Sequence, residues 1–375
     1  MPITLDGTNG ITTPMYNGSI TANAVTPVTG FKNRIINGQM TFDQRNAGAS
    51  VTLTSADTYT LDRWQFGSSQ SSKYSCQQNA GSVTPPVGYG NYLGITSLSA
   101  YTVGSAETFN LIQRIEGFNT ADLNWGTANA KTVTLSFQVY SSLTGTFGGA
   151  ITNSAFNYSY PFTYSIPTAN TWTQISVTIA GPTAGTWIGA TNGAGLVLRF
   201  SMGTGSTLSG TAGAWSASGL ISATGATSVV GTNGATFYIT GVQLEVGSTA
   251  TSFDYRPYGT ELSLCQRYYA KMSTGGYSNY TAFASGVATA TNSGNLFFKY
   301  PVTMRASATI AYSNVAYSYA AGTLTAVSSS GATYAGTDSM LAQPVATGAS
   351  MTIGYACILM ANNNSAGYIE LNAEL

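Results

Sequence analysis

Histidine is absent from all 375 residues, and Lys, Arg, Asp and Glu together make up only 7% of the chain. Without histidine there is no Ser-His-Asp or Cys-His nucleophile and no His-ligated zinc. An ordinary soluble domain carries roughly 25% charged residues, so solubility here rests on hydroxyls, amides and exposed backbone. The 13 cations match the 13 anions and form no run, and a phosphate-binding footprint needs clustered Lys and Arg. Nucleic acid is therefore excluded as an expected partner. Three cysteines, Cys76, Cys265 and Cys357, form no CxxC pair and no even-numbered disulfide set, and read as buried thiols. No apolar run approaches the roughly 18 residues of a membrane helix, so membrane insertion is not expected. The start, "MPITLDGTNGITTP", has neither the basic nor the apolar region of a signal peptide. Neither a GxxxxGK[ST] loop nor a strand-to-helix GxGxxG is found, so nucleotide binding has no support.

Strands are what the sequence does contain. Val133, Leu135, Phe137 and Val139 alternate with polar residues, as do Ile175, Val177 and Ile179, and Leu196, Leu198, Phe200 and Met202. Strict alternation marks half-buried antiparallel strands, and Gly, Ser, Thr, Asn and Pro clusters separate them. In "ATFYITGVQLEVG", Phe237 and Ile239 set one phase and Val242, Leu244 and Val246 the other. A one-residue slip at Gly241 predicts a β-bulge. The best candidate for a short helix is "ELSLCQRYYAKM", residues 261–272. The pattern predicts an all-β protein: a β-sandwich, then a second, smaller β domain, behind a short extended N-terminal arm. The expected divisions are 1–30, 31–258 and 259–375. No internal repeat of fixed period argues for a solenoid.

Charge is unevenly placed. Between Thr132 and Leu244 the only charged residue is Arg199, and then Glu245, Asp254, Arg256, Glu261, Arg267 and Lys271 follow within 27 residues. These fall where the first β domain is expected to close, and read as a solvated or mutually paired seam.

The strings "NRIINGQMTFDQRNAG", "YTLDRWQF" and "FYITGVQLEVGSTATSFDYRPYGTELSLCQRYY" occur in that order. Together they resemble bacteriophage tail-fibre and virion-surface fibre proteins whose central domain is similar to a carbohydrate-binding-module jelly roll. The resemblance covers about residues 31–270, and none of its motifs is catalytic. It implies a jelly-roll sandwich in a homotrimeric appendage, a docking N-terminal segment that meets other virion structural proteins, and a distal domain that faces host-surface polysaccharide or lipopolysaccharide. A protein made in the host cytoplasm and released by lysis to the virion surface needs no signal peptide. Many such modules hold a structural calcium; here Thr240 and Gly241 stand where acids often occur, so no cofactor or metal site is expected.

Asp43, Asp57, Asp62, Glu107, Glu116 and Asp122 are the acids of the first part of the chain, and glycoside cleavage needs two carboxylates flanking the bond. Ion pairs with Arg34, Arg45, Arg63 or Arg114 explain them better; in "TLDRW", Asp62 and Arg63 read as a latch at the core edge. No catalytic residue is assigned. Tyr provides a flat apolar body with a hydrogen-bonding tip, and Tyr312, Asn314, Tyr317 and Tyr319 are the candidate receptor or glycan contacts on the distal tip. The polar turn "ANNNSAG" at 361–367 is a candidate neighbour. Trp125, Trp172, Trp187 and Trp215 are the candidates for an exposed sugar platform in the sandwich. Ile3 and Leu5 have the alternate spacing that strand addition to a virion partner would use. A fibre or spike that adsorbs to host glycan is the leading reading. The alternative is a head-fibre, collar or capsid decoration protein without a specific receptor role, and a surface-polysaccharide hydrolase ranks last.

Overall fold

The computed structural model describes residues 4–6, 10–12, 32–319 and 322–375. Eight central strands are β1 (Leu93–Ser97), β2 (Thr108–Glu116), β3 (Val133–Ser141), β4 (Gly145–Thr152), β5 (Ser159–Ile166), β6 (Thr173–Ile179), β7 (Ala194–Thr204) and β8 (Thr236–Val246). One sheet runs in the order β6-β3-β8-β1 and the other β5-β4-β7-β2. Successive strands cross between the sheets except for the β4–β5 hairpin, which is the order of a jelly roll. Tyr74–Gln78 and Val51–Thr52 extend the first sheet beyond β1; Gln65–Ser68 and Thr58–Tyr59 extend the second beyond β2. Every pairing within these two sheets is antiparallel.

The alternating apolar sets meet between the sheets. Val133, Leu135, Phe137 and Val139 of β3 pack with Leu196, Leu198, Phe200 and Met202 of β7 in a single core. The predicted bulge is present. Thr240 pairs Gln138 and Gln243 pairs Ser136, so β8 holds one residue more than β3 across that step. Gly241 has φ of 63°, and the slip returns Val242 and Leu244 to the core that Phe237 and Ile239 occupy.

The remaining chain forms a second all-β unit. Tyr269–Ser273, Tyr368–Asn372 and Thr309–Ser313 make a three-stranded sheet, while a seven-stranded sheet includes Val315–Tyr319, Ala356–Ala361, Ala282–Ala290 and Ser293–Lys299. It has its own apolar core, containing Leu296, Phe298, Leu359, Ile369 and Leu371. The helix is shorter and earlier than the sequence suggested, spanning Tyr258–Gln266. Tyr269 already pairs with Asn372 in a strand, because aromatic residues beside a free strand edge favour the sheet. Residues Thr4–Asp6 and Gly10–Thr12 form a small antiparallel hairpin in which Leu5 pairs Ile11; Ile3 lies outside the described residues.

The charged residues join these two units. Glu374 takes ion pairs from Arg63 and Arg45 of the sandwich, and the two guanidiniums lie over the rings of Tyr268 and Tyr269, each 3.6 Å from the centroid. Glu116 of β2 receives Arg267 at 2.6 Å and the Tyr268 hydroxyl at 2.5 Å. Lys271 donates to the Arg45 carbonyl. An apolar patch of Ile36, Phe42, Cys265 and Tyr268 lies beside them. Mutual pairing is what lets so many ionic groups be buried at this seam. Among the described residues, no helix is long and apolar enough to cross a membrane.

Candidate functional site

The distal candidates do not form one site. Tyr317 is fully buried; its hydroxyl donates to the Pro344 carbonyl at 2.8 Å and accepts from the Gly294 N–H at 3.0 Å. It is therefore a core residue that cannot reach a ligand. Tyr317 and Tyr319 share one strand face, as their alternation predicts, and that face turns inward. Tyr319 sits at the core margin, and its hydroxyl accepts the Ser350 N–H and bonds Thr325; these bonds favour its ionised form slightly. Tyr312 and Asn314, by contrast, line a cavity of about 380 Å³ together with Asn362 and Ser328–Ser330. The Tyr312 hydroxyl is buried without a partner, and burial raises its pKa. Asn362, from the "ANNNSAG" turn, donates its N–H to the Asn314 carbonyl at 2.9 Å, so that turn does lie beside Tyr312 and Asn314.

A more organised surface lies on the sandwich, on the outer face of the β6-β3-β8-β1 sheet. The residues between the core positions of β3 and β6 lie on the outer face in register: Thr134 opposite Thr178, Ser136 opposite Ser176, Gln138 opposite Gln174. Gln174, Ser176 and Thr178 are exposed and Gln138 half-buried, while Thr134 and Ser136 are buried. The two amides bond each other at 2.5 Å. Next along the same face come Tyr140 and Trp172, with ring centroids 5.5 Å apart. Tyr140 stacks on Tyr238 at 5.3 Å with an 8° interplanar angle, and Tyr92 backs both Tyr238 and Trp172. The Trp172 indole is fixed by its N–H to the Thr84 carbonyl at 2.9 Å. At the other end, Tyr89 and Phe253, 5.4 Å apart, wall a cavity of about 260 Å³ whose lining includes Ser136, Gln174 and Ser176. No charged residue lines this cavity; the nearest on the same face, Glu245 opposite Thr134, is buried and accepts the Thr251 N–H and hydroxyl. Gly241 belongs to it because its bulge leaves room for the Tyr89 ring: a Cβ there would stand 2.6 Å from the ring.

This ladder was present in the alternation "TVTLSFQVY" and "WTQISVT", in the polar residues between the apolar ones. The inward set alone predicted the strands; the outward set, Thr–Ser–Gln–Tyr and Trp–Gln–Ser–Thr, carries the surface.

The other tryptophans pack elsewhere. Trp125, Trp187 and Trp215 meet edge to face at 4.8–5.4 Å, and their N–H groups bond the carbonyls of Lys131, Ala184 and Ala180. Trp125 belongs to the core, with Trp187 and Trp215 packed against it, and Trp125 and Trp187 line a cavity of about 220 Å³. The acids are taken up by partners: Asp122 by Arg34 at 2.7 Å, Glu116 by Arg267, Glu107 by Tyr101, Gln70 and the Gly104 N–H. Asp62 accepts the Gln44 backbone and side-chain N–H groups, while Arg63 is taken by Glu374, so the two do not form the latch expected of them. No group of three metal-ligating side chains converges among the described residues; the Thr240 hydroxyl donates to the Asn91 carbonyl at 2.7 Å.

No family model matches the chain, and no curated protein does either. Among solved structures, the chain is similar to the enzymatically active domain of tailspike protein 4 of bacteriophage CBA120, at 11% identity and a TM-score of 0.32 over 57% of this chain. It spans only 21% of that tailspike chain. It is also similar to the family 11 carbohydrate-binding module of Clostridium thermocellum, solved with a mixed-linked β-1,3-1,4 tetrasaccharide, at 12% identity and a TM-score of 0.26, covering 54% of this chain and 98% of the module. A third likeness is to the module TmCBM61, solved with β-1,4-galactotriose, at 8% identity and a TM-score of 0.29, covering 58% of this chain and 100% of the module. At these scores none of the three says what this chain binds.

Proposed function

We propose that this protein is a non-enzymatic subunit of a phage fibre that recognises host-surface polysaccharide, with the outer groove of the β6-β3-β8-β1 sheet as its sugar platform. One observation carries the reading: Trp172 and Tyr140 offer aromatic faces beside an uncharged ladder of Gln138, Gln174, Ser136 and Ser176. A sugar ring presents apolar C–H faces and a hydroxyl rim, which aromatic rings and amides answer respectively. In this reading residues 1–30 dock to other virion proteins through a strand that includes Ile3 and Leu5, residues 31–258 form the jelly roll, and residues 259–375 lie distally. The assembly is a homotrimer on the virion surface. Tyr312, Asn314 and Asn362 give the distal unit a second uncharged cavity of hydroxyls and amides.

The test is binding of the labelled protein to intact host cells, with purified surface polysaccharide as competitor, for wild type and Trp172→Ala. Saturable binding that the polysaccharide abolishes, weakened about tenfold or more by the substitution, is the expected result. Binding lost with Tyr312→Ala but kept in Trp172→Ala would move recognition to the distal cavity. No binding by either form favours a decoration role on head or collar.

A further inference from the structure

Arg199 is the one charged residue in the long neutral stretch, and its setting is incomplete. It projects from β7 onto the outer face of the β5-β4-β7-β2 sheet, the sheet opposite the groove. Its stem is flanked by Ala150 and Ile112, which pair with it across the two neighbouring strands and are themselves buried. The guanidinium makes one hydrogen bond, Nη1 to the Asn110 Oδ1 at 3.2 Å. Asn110 is oriented for this by its own Nδ2 bond to Thr108. The Arg199 Nε is buried with no partner, and among the described residues no carboxylate lies within ion-pair distance.

The neighbours worsen the imbalance. Arg114 stands on the same face of β2 and gives its Nε to Gln65 at 3.2 Å. Its one carboxylate, Asp57, is 3.7 Å away and half-exposed. Burial and the Arg114 charge both act against the Arg199 cation, lowering its pKa to about 10, with Asp57 only partly opposing them. A desolvated cation beside a second cation is destabilising unless an anion answers it.

The face is also shaped. Phe156 lies over the guanidinium with its ring centroid at 5.1 Å, at φ of 53°, a left-handed backbone conformation that is strained for a bulky residue. The loop is held in it by Asn153, whose Oδ1 accepts the N–H groups of Asn157 and Tyr158 and whose Nδ2 donates to Asn157 and Thr186. A fixed aromatic ring thus stands beside an unanswered guanidinium.

We infer that Arg199, with Arg114, Asn110 and Phe156, forms a second binding site for the carboxylate of an acidic sugar, the ring seated against Phe156. A planar guanidinium with an unpartnered donor takes a carboxylate through charge-assisted bonds. The inference rests on the glycan-recognition reading and adds a sugar class to it: a polymer containing uronic acid, met on the face opposite the neutral groove.

The experiment is titration calorimetry with three probes: a trigalacturonate oligosaccharide, its carboxyl-reduced neutral counterpart, and sodium sulfate at equal ionic strength. Wild type, Arg199→Gln and Trp172→Ala are compared, with thermal unfolding as a second readout. Expected is binding of the trigalacturonate that salt weakens and Arg199→Gln reduces on the order of tenfold to a hundredfold. Trp172→Ala should retain it. Free Arg199→Gln should unfold at the same temperature as free wild type or higher, since it sheds an uncompensated cation, and should gain no thermal shift from the acid. Equal binding of the reduced oligosaccharide, or of sulfate alone, overturns the sugar-acid assignment. So does a wild-type shift that Arg199→Gln retains. Loss of polysaccharide binding in Trp172→Ala with trigalacturonate binding intact separates this site from the groove; the reverse pattern leaves the groove standing and removes this inference.

Discussion

Asp62 gives the sharpest quantitative expectation. Its carboxylate is fully buried and accepts two N–H groups from Gln44, at 3.2 Å and 2.5 Å. Burial pushes its pKa from the ordinary 3.8 up to about 6; the Gln44 bonds and Arg45 pull the other way, and Glu374 adds to the rise. The neighbouring Arg63 is committed to Glu374 and offers Asp62 no ion pair. For an acid with a raised pKa, the folded state holds the proton over a window in which the unfolded state has lost it. Stability from this group is complete below about pH 4 and falls as pH rises toward 6. At about 1.4 kcal/mol per unit, the fall amounts to about 3 kcal/mol by pH 7. Asp62→Asn removes the titration but leaves an amide where the Gln44 side chain needs an acceptor, at a cost of about 1 kcal/mol. The variant and wild type should be equally stable near about pH 4.5, and the variant about 2 kcal/mol more stable at pH 7. Urea unfolding of both proteins at half-unit steps from pH 4 to pH 7 measures the gap, and the other carboxylates cancel in the difference. A gap that stays constant across that range, or a variant less stable throughout, would refute the reasoning.

Two further outcomes follow from the fold. Glu374→Gln leaves the buried Arg63 and the nearly buried Arg45 without their carboxylate and should cost about 3–5 kcal/mol in guanidinium unfolding; a loss under about 1 kcal/mol would mean that the seam does not depend on that acid. Gly241→Ala places a Cβ 2.6 Å from the Tyr89 ring at φ of 63° and should cost about 2 kcal/mol or more, part of it recovered in Gly241→Ala with Tyr89→Ala, as the melting temperatures of the single and double variants would show.

The strands of the sandwich were legible because each shows one face to a core and one to polar surroundings, so period two is written directly in β3, β6 and β7. The bulge was legible for the same reason: a phase slip at a glycine leaves few alternatives. The end of the helix was not, since "LCQRYYAKM" fits a helix locally and becomes strand at Tyr269 only because Asn372, far along the chain, offers an edge. Tyr312, Tyr317 and Tyr319 illustrate the same limit. Their spacing said which share a face and nothing about which face is inward, and that was set by the core of the seven-stranded sheet.

The sequence by itself determined that the chain is all-β, from its alternation, that histidine-dependent chemistry is excluded, from its composition, and that charge is dense between Glu245 and Lys271, from its order. Only the tertiary structure decided which acid meets which base, that Trp172 joins Tyr140 while Trp125, Trp187 and Trp215 cluster together, and that among the described residues Arg199 meets no carboxylate. The physical reason is that alternation is a local property of the backbone pleat, whereas pairing across a sheet or a seam depends on residues that the sequence separates by tens to hundreds of positions.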